Sequence, residues 1–180
     1  MENTATASAA VTPTSVAIRY GLLTGMVWLI VDFILRVTEL SFKFSVYLSA
    51  AIVVYIIGSI LAHRFFKQNN NGFMTYKQGL LIVVILSLIS GLLSGLFNYV
   101  YVNFIDPDYI VRMRTDMEAW LSSLPNVTEA QIDKSLEDLS EEKLKSPLQI
   151  GKGLMSSAIT GLIIGLLVTA FTKHKRPEFE

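Results

Sequence analysis

The apolar positions of this chain fall into four long stretches, separated by polar turns and by one charged segment. The longest stretch covers residues 79–104 and contains no Asp, Glu, Lys or Arg. At about 1.5 Å of rise per residue, a helix over this stretch is longer than the roughly 30 Å hydrocarbon core of a bilayer. Because a soluble domain rarely contains such a stretch, the pattern predicts a transmembrane helix.

Three further stretches predict transmembrane helices of the same kind. They cover residues 15–37, 44–63 and 149–172. The first is interrupted by Arg19, Asp32 and Arg36, but its many apolar side chains offset the insertion cost of Asp32, and arginines near helix ends can snorkel to the interface. The sequence therefore predicts an all-α integral membrane domain of four transmembrane helices over residues 15–172.

A charged segment over residues 106–146 separates the third span from the fourth. It opens with Asp106-Pro107-Asp108, which should end the third helix because proline cannot continue it and carboxylates do not stay in hydrocarbon. Apolar residues recur at helical spacing on both sides of Pro125, which predicts two amphipathic helices outside the membrane. These helices are expected to cap the bundle, lie on the membrane surface or dock a protein partner.

The two ends of the chain are polar. Residues 1–14 lack the basic and apolar regions of a cleaved signal peptide, so they are expected to form a disordered tail. Residues 173–180 are expected to form a basic tail. Tight groups of cations follow the second and fourth spans, and the positive-inside rule then places both termini in the cytoplasm.

Composition excludes several classes of function. The 180 residues carry a formal net charge of zero, so no overall field favours nucleic acid. The absence of cysteine excludes disulfides, thiolate catalysis and cysteine-bound metals. The sequence also offers no nucleophile paired with a base, no phosphate-binding loop and no carboxylates placed for catalysis. It therefore predicts a protein that is not an enzyme and has no cofactor or metal.

Asp32 is the sharpest candidate for a functional residue, because ionisable groups inside a span usually face a partner or water. Arg36 lies one helical turn onward, which is the spacing of an ion pair on one helix face. Asn98 and Asn103 occupy the corresponding half of the third span, beside tyrosines. These four residues could form a polar site for a small ligand or ion. Alternatively, Asp32 and Arg36 pair near the interface and the tyrosines form an aromatic belt.

Two histidines, His63 and His174, each follow the predicted cytoplasmic end of a span. Neither has a second metal ligand at a useful spacing, and a cation at the C-terminal end of a helix suits the helix dipole. Both are therefore expected to lie at helix ends without binding metal.

Small residues recur four positions apart in three of the spans. The pairs are Gly21 and Gly25, Gly91 and Gly95, and Gly161 and Gly165. Within lipid no hydrophobic force drives helices together, so close approach of their backbones must supply the association. These faces predict either packing inside a four-helix bundle or homodimerisation.

Two stretches carry a resemblance to a known family. The sequence NGFMTYKQG at residues 71–79 precedes a Gly- and Ser-rich apolar helix that ends FNYVYVNFIDP at residues 97–107. In these stretches the chain resembles the uncharacterised bacterial membrane proteins grouped as domain of unknown function 4199 (DUF4199), found mainly in Bacteroidota. The resemblance covers about residues 15–172 and implies four spans with a long segment between the third and fourth. It transfers no activity and no site residue.

Taken together, these features favour a small non-catalytic protein of a bacterial inner membrane, an accessory or assembly factor whose segment 106–146 contacts a protein partner. The alternative is a small oligomeric transporter or channel subunit with a polar site around Asp32 and Asn98. Four spans alone enclose little room, so this alternative requires a homo-oligomer. Both hypotheses require contact with the lipid bilayer, and neither involves nucleic acid.

Overall fold

The computed structural model describes residues 11–137 and 139–174, which form a bundle of helices. In chain order the helices are α1 (Pro13–Val37), α2 (Phe44–Gln68), α3 (Tyr76–Val100), α4 (Tyr109–Ser122), α5 (Glu129–Glu137), α6 (Glu141–Leu144) and α7 (Leu148–Thr172). A π-helical turn, Tyr101–Ile105, extends α3 to a continuous stretch of 30 residues. Within the described residues the architecture is all-α, as the sequence predicts.

The four long helices, α1, α2, α3 and α7, have the length and hydropathy needed to cross a membrane. This confirms the prediction of a four-span membrane protein. Large apolar side chains cover the outside of the bundle, and Phe171 remains 89% exposed. Such side chains need an apolar solvent, so the chain is a multi-pass membrane protein whose outer surface contacts lipid.

Some helix ends differ from those predicted. α1 begins at Pro13 because Thr12 caps it: the Ser15 N–H donates to the Thr12 hydroxyl at 3.1 Å, and the Thr12 N–H donates to the Ser15 hydroxyl at 3.2 Å. Pro13 and Thr14 are therefore helical and do not belong to a disordered tail. Residues 1–10 of that predicted tail lie outside the described residues, as do residues 175–180 of the predicted basic tail.

The two ends of the bundle differ. At the end called here the terminus end, α1 begins and α7 stops, and Met74 pairs with His174 through two backbone hydrogen bonds. At the opposite end, called the loop end, α1 stops and α2 and α7 begin. Helices α4 to α6 also lie at this end. The candidate site described below is at the loop end.

Helix α3 is central, and glycines let α1 and α7 approach it from either side. A Cβ atom added at Gly21 of α1 would lie 3.0 Å from the Ile89 Cβ, and one at Gly161 of α7 would lie 2.5 Å from the Ser87 Cβ. The other four predicted glycines make similar close approaches. Gly25 meets Leu93, Gly91 meets Ser157, Gly95 meets Ile150, and Gly165 meets Leu80. All six glycines therefore pack between helices of the same chain.

The extramembrane segment contains three helices, so the prediction of two is wrong. The second predicted helix is divided into α5 and α6 around Ser140, whose backbone is extended at φ −66° and ψ 147°. Serine is a favoured residue at the start of a helix, and Glu141 and Glu142 follow in the first turn, where acidic side chains suit the dipole. A new helix therefore starts there.

Helix α4 is anchored to the loop end of the bundle. The Tyr109 hydroxyl donates to the Ser41 hydroxyl at 3.1 Å, and Ile110 is buried with Tyr101 and Val102. Arg112 donates to the Asp106 carboxylate at 2.5 Å. The pKa of Asp106 lies below its usual range, and this charge-assisted bond is the largest cause of the shift. The start of the charged segment therefore covers the loop end.

Candidate functional site

Asp32 and Arg36 point into the bundle and away from lipid. Asp32 is fully buried and Arg36 is 7% exposed. The Arg36 Nε donates to Asp32 Oδ2 at 3.0 Å, one turn along α1, as their spacing predicts. Transferring an unpaired charge from water into a protein interior is very costly, so each side chain requires the other in this position.

Asn98 joins this ion pair from α3. The Arg36 Nη2 donates to Asn98 Oδ1 at 3.1 Å. The structure therefore brings together three of the four polar residues that the sequence singles out, Asp32, Arg36 and Asn98. The bond also links α1 to α3 inside the membrane domain.

Asn103, the fourth predicted residue, does not join the cluster. Its amide donates to the Tyr99 carbonyl at 2.8 Å and to the Lys145 carbonyl at 3.3 Å. Asn103 lies in the π-helical turn, where the Asp106 N–H bonds back five residues to the Tyr101 carbonyl. The prediction placed Asn98 and Asn103 only in the same half of the span, and sharing a half does not put two side chains on one face of a helix. Asn103 instead ties α3 to the end of the extramembrane segment.

Three aromatic rings surround the Arg36 guanidinium. Its central carbon lies 4.8 Å from the ring centroid of Tyr109, 4.9 Å from that of Tyr101 and 5.8 Å from that of Phe97. Such contacts favour a cation over the face of a ring. Tyr101 and Phe97 stand on α3 near Asn98, but Tyr109 comes from α4. Sequence reasoning missed Tyr109, because the direction in which the chain turns after Pro107 cannot be obtained from periodicity.

Helix α2 completes the surroundings of the ion pair. Tyr47 of α2 and Arg36 line the same cleft. The Tyr47 ring packs edge-on against Trp28 of α1, with 5.3 Å between centroids. Residues from α1, α2, α3 and α4 therefore meet at one polar cluster near the loop end.

A cleft of about 460 Å³ opens beside this cluster, between α2, α3 and α7. Arg36 reaches its wall, and polar side chains line it from all three helices. These include Tyr47, Asn98, Gln149, Lys152, Ser156 and Thr160. The sequence did not predict that polar residues of α7 line a cleft. Their pattern was interpreted as a helix start and as packing positions.

The cleft exists because α2 and α7 are held together at the terminus end and separate toward the loop end. At the terminus end, Lys67 Nζ donates to the Thr172 carbonyl at 3.0 Å, and His63 Nδ1 lies 2.8 Å from the Thr172 hydroxyl. Toward the loop end, residues of both α2 and α7 line the cleft. Gly91 and Gly95 of α3 also line it, and their close approaches to Ser157 and Ile150 hold α7 against α3.

His63 was expected at the end of a helix, and this expectation is wrong. α2 continues to Gln68, so His63 is fully buried and faces α3 and α7. Its Nε2 lies 2.9 Å from the Gly79 carbonyl oxygen, in addition to the contact with Thr172. His63 therefore connects three spans. Among the described residues, no group of three metal-ligating side chains lies close enough together to hold a metal ion.

The cleft is lined by cations and by neutral polar groups. Two cationic side chains, Arg36 and Lys152, line it, and no Asp or Glu lies among the described lining residues. Amide and hydroxyl groups of Asn98, Gln149 and Thr160 add hydrogen-bond donors and acceptors. The cleft is therefore suited to hold an acceptor-rich or anionic group.

Comparison with known proteins places the chain in a family. The model of the family described as "Protein of unknown function (DUF4199)" matches residues 19–174, most of the chain. This confirms the resemblance noted in the sequence. None of the curated proteins and none of the solved structures shows a significant match to the chain.

Proposed function

The chain belongs to the DUF4199 family of proteins of unknown function, and we propose that it is a non-catalytic membrane protein that binds a ligand from the bilayer in the cleft between α2, α3 and α7. The protein then acts as an accessory factor in a bacterial inner membrane. The effect of the protein on its partner then depends on ligand binding in the cleft.

One observation carries this proposal. Arg36 is 7% exposed and lines the cleft, yet its Nη1 has no hydrogen-bond partner among the described residues. An unpaired donor in the interior is costly, and most buried polar groups are satisfied. Because Nη1 is itself buried, an acceptor in the cleft pairs with it once the guanidinium turns toward the cleft, and a bound ligand would then supply a hydrogen bond that the folded chain leaves unmade.

Two glycines of α7 allow a matched test. A Cβ added at Gly153 or at Gly151 meets no atom within 4 Å, so a larger side chain can start from either position without a clash at its Cβ. Gly153 lines the cleft and Gly151 does not. The Gly153→Leu variant should therefore fill the cleft, while Gly151→Leu adds the same bulk outside it.

The readout is native mass spectrometry of protein released from nanodiscs that contain a bacterial polar lipid extract. Wild type and Gly151→Leu should retain a bound component that Gly153→Leu loses. Equal retention by all three proteins, or retention by none, would contradict binding in the cleft.

The extramembrane segment is the proposed surface for a protein partner. Tyr109 of α4 covers the Arg36 guanidinium, so a ligand that draws Arg36 toward the cleft alters the anchoring of α4. Trp120 of α4 is 55% exposed and is available to a partner. A photocrosslinker at Trp120 should capture one defined protein in cells, and Gly153→Leu should reduce the capture. A crosslinker at Phe171, on the lipid-exposed surface at the terminus end, is the control.

Both termini lie in the cytoplasm under this proposal. Arg64 and Lys67 near the end of α2, and Lys173 after α7, place cations at the terminus end, which supports that orientation. Reporter fusions at Asn70 and at Lys134 test it. A cytoplasmic Asn70 and an extracytoplasmic Lys134 are expected, and the reverse pattern would overturn the orientation.

A transporter or channel subunit is the second candidate, favoured by the sideways opening of the cleft between α2 and α7. A homo-oligomer could close that opening around Asn98 and the Asp32–Arg36 pair. Mass determination in nanodiscs discriminates between the two candidates. A strict monomer excludes the oligomeric pore, while a symmetric oligomer that depends on Gly153 favours it.

A further inference from the structure

The lining of the cleft carries an excess of positive charge. The positive charge of Arg36 is compensated by Asp32, which forms an ion pair with it. Lys152 is exposed in the cleft wall and forms no ion pair with any described residue. With no described carboxylate in the lining, the cleft presents one uncompensated cation, and Arg36, whose buried Nη1 has no hydrogen-bond partner among the described residues, lies in its wall. Both features suit an anionic ligand.

The rim of the cleft is apolar. Leu48 and Ile52 of α2 line it and are 42% and 39% exposed. On α7, Met155 and Ile159 flank the polar lining residues and are 72% and 60% exposed. A soluble anion gains no free energy of apolar burial from these side chains, whereas a ligand with a hydrocarbon chain can cover them. The rim and the lining together require a molecule with an anionic end and an apolar end.

The position of the cations agrees with the depth of lipid head groups. Gln149 and Lys152 lie in the first two turns of α7, at the loop end. Cationic side chains near the end of a span sit at the interface, where anionic head groups attract them. The positive end of the α7 dipole lies in the same place and acts in the same direction.

We propose that the cleft binds an acidic phospholipid, with the phosphate of its head group held by Lys152 and the Arg36 guanidinium and its acyl chain lying along the rim between α2 and α7. This inference rests on the proposed binding function of the cleft and names the class of ligand. A zwitterionic lipid, free phosphate and a second copy of the chain are the competing occupants.

The fluorescence of Trp28 can report on a ligand in the cleft. Trp28 is buried, and its ring lies 5.3 Å from that of Tyr47 and 6.3 Å from that of Tyr55, both of which line the cleft. The chain has two tryptophans, so the Trp120→Phe substitution leaves Trp28 as the only one. Bromine atoms on the acyl chain of a lipid in the cleft would quench its fluorescence.

The experiment compares brominated phosphatidylglycerol with brominated phosphatidylcholine in nanodiscs, with the full-length Trp120→Phe protein. The same mole fraction of each brominated lipid is used. We expect a preference of about fivefold for the anionic lipid, the size typical of one basic residue near an anionic head group. Lys152→Gln should abolish the preference. Lys134→Gln, which removes an exposed cation of α5 outside the cleft, should leave it unchanged.

The remaining outcomes separate this inference from the proposed function. Equal quenching by both lipids that Gly153→Leu reduces would overturn the acidic head group but leave lipid binding in place. Quenching that Gly153→Leu does not reduce for either lipid would overturn both. Relief of the anionic quenching by millimolar inorganic phosphate would identify a free anion as the ligand, and crosslinked dimers that exclude both lipids would identify a second copy. Either result would overturn the lipid assignment.

Discussion

The ring of Tyr109 lies 4.8 Å from the guanidinium carbon of Arg36, although Tyr109 belongs to the extramembrane segment and Arg36 to the first span. This contact joins the charged segment to the buried ion pair. Through Asn98, the same guanidinium also holds α3. A change in the polar cluster should therefore alter the packing of α4 outside the membrane domain. A change in α4 should likewise alter the surroundings of Arg36.

Tyr109→Ala should release α4 from the loop end. The substitution removes a ring packed on Arg36 and Tyr101 and the hydrogen bond to Ser41, with an expected loss of about 3 kcal/mol, near the lower end for a buried aromatic side chain. Limited trypsin digestion should then cleave faster at Arg112 and Arg114. Trp120→Ala, further along α4 and exposed, is the control and should not change the cleavage rate.

Asp32→Ala should destabilise the bundle by about 3–5 kcal/mol, because it leaves the Arg36 cation buried without its partner. Combining it with Arg36→Met removes the uncompensated charge and should recover a large part of that loss. Thermal unfolding in detergent at matched lipid content measures Asp32→Ala, Arg36→Met and the double variant. If the losses of the two single variants simply add in the double variant, the pair is not coupled in the way the structure indicates.

Gly161→Val should separate α7 from α3, because a Cβ at Gly161 would lie 2.5 Å from the Ser87 Cβ. Overpacking of this kind typically costs about 1–3 kcal/mol. Gly151→Val on the same helix meets no atom within 4 Å and should leave the unfolding temperature nearly unchanged. A comparable loss in the two variants would argue against close packing at Gly161.

The Asp106–Arg112 pair should make the anchoring of α4 dependent on acid. The folded pKa of Asp106 is lowered by Arg112, so the stabilisation is complete above the ordinary carboxyl pKa of 3.8 and is lost as the pH falls through the lower folded value. The difference in unfolding temperature between wild type and Asp106→Asn should be constant near neutral pH and vanish in strong acid. A difference that does not shrink as the pH falls below the ordinary carboxyl pKa would contradict this origin.

His63→Leu should weaken the contact between α2 and α7 at the terminus end. The Gly79 carbonyl and the Thr172 hydroxyl each lose one partner, although the Thr172 hydroxyl still donates to the Val168 carbonyl at 2.8 Å. The loss of one such hydrogen bond typically costs about 0.5–1.5 kcal/mol. Distance measurements between spin labels on α2 and α7 should show a broader distribution than in wild type. Ser123→Leu, an exposed position in the extramembrane segment, should not broaden it.

Local features of the sequence were enough to predict the four spans and the ion pair. Lipid offers no hydrogen bonds, so a span must be a long apolar helix, and this requirement is visible in the sequence alone. Asp32 and Arg36 pair because they lie four positions apart on one helix, which periodicity also predicts. The glycine spacing likewise marked the helix faces that come into contact.

Only the tertiary structure decided which residues from different helices meet. Asn103 bonds to the Tyr99 and Lys145 carbonyls and not to the cluster. The change of chain direction at Pro107 brought Tyr109 onto Arg36, and the extension of α2 buried His63. The cleft itself depends on α2 and α7 joining at one end and separating at the other. Helix tilt and rotation arise from packing summed over many distant side chains, and a helical repeat read along one stretch of sequence contains no information about them.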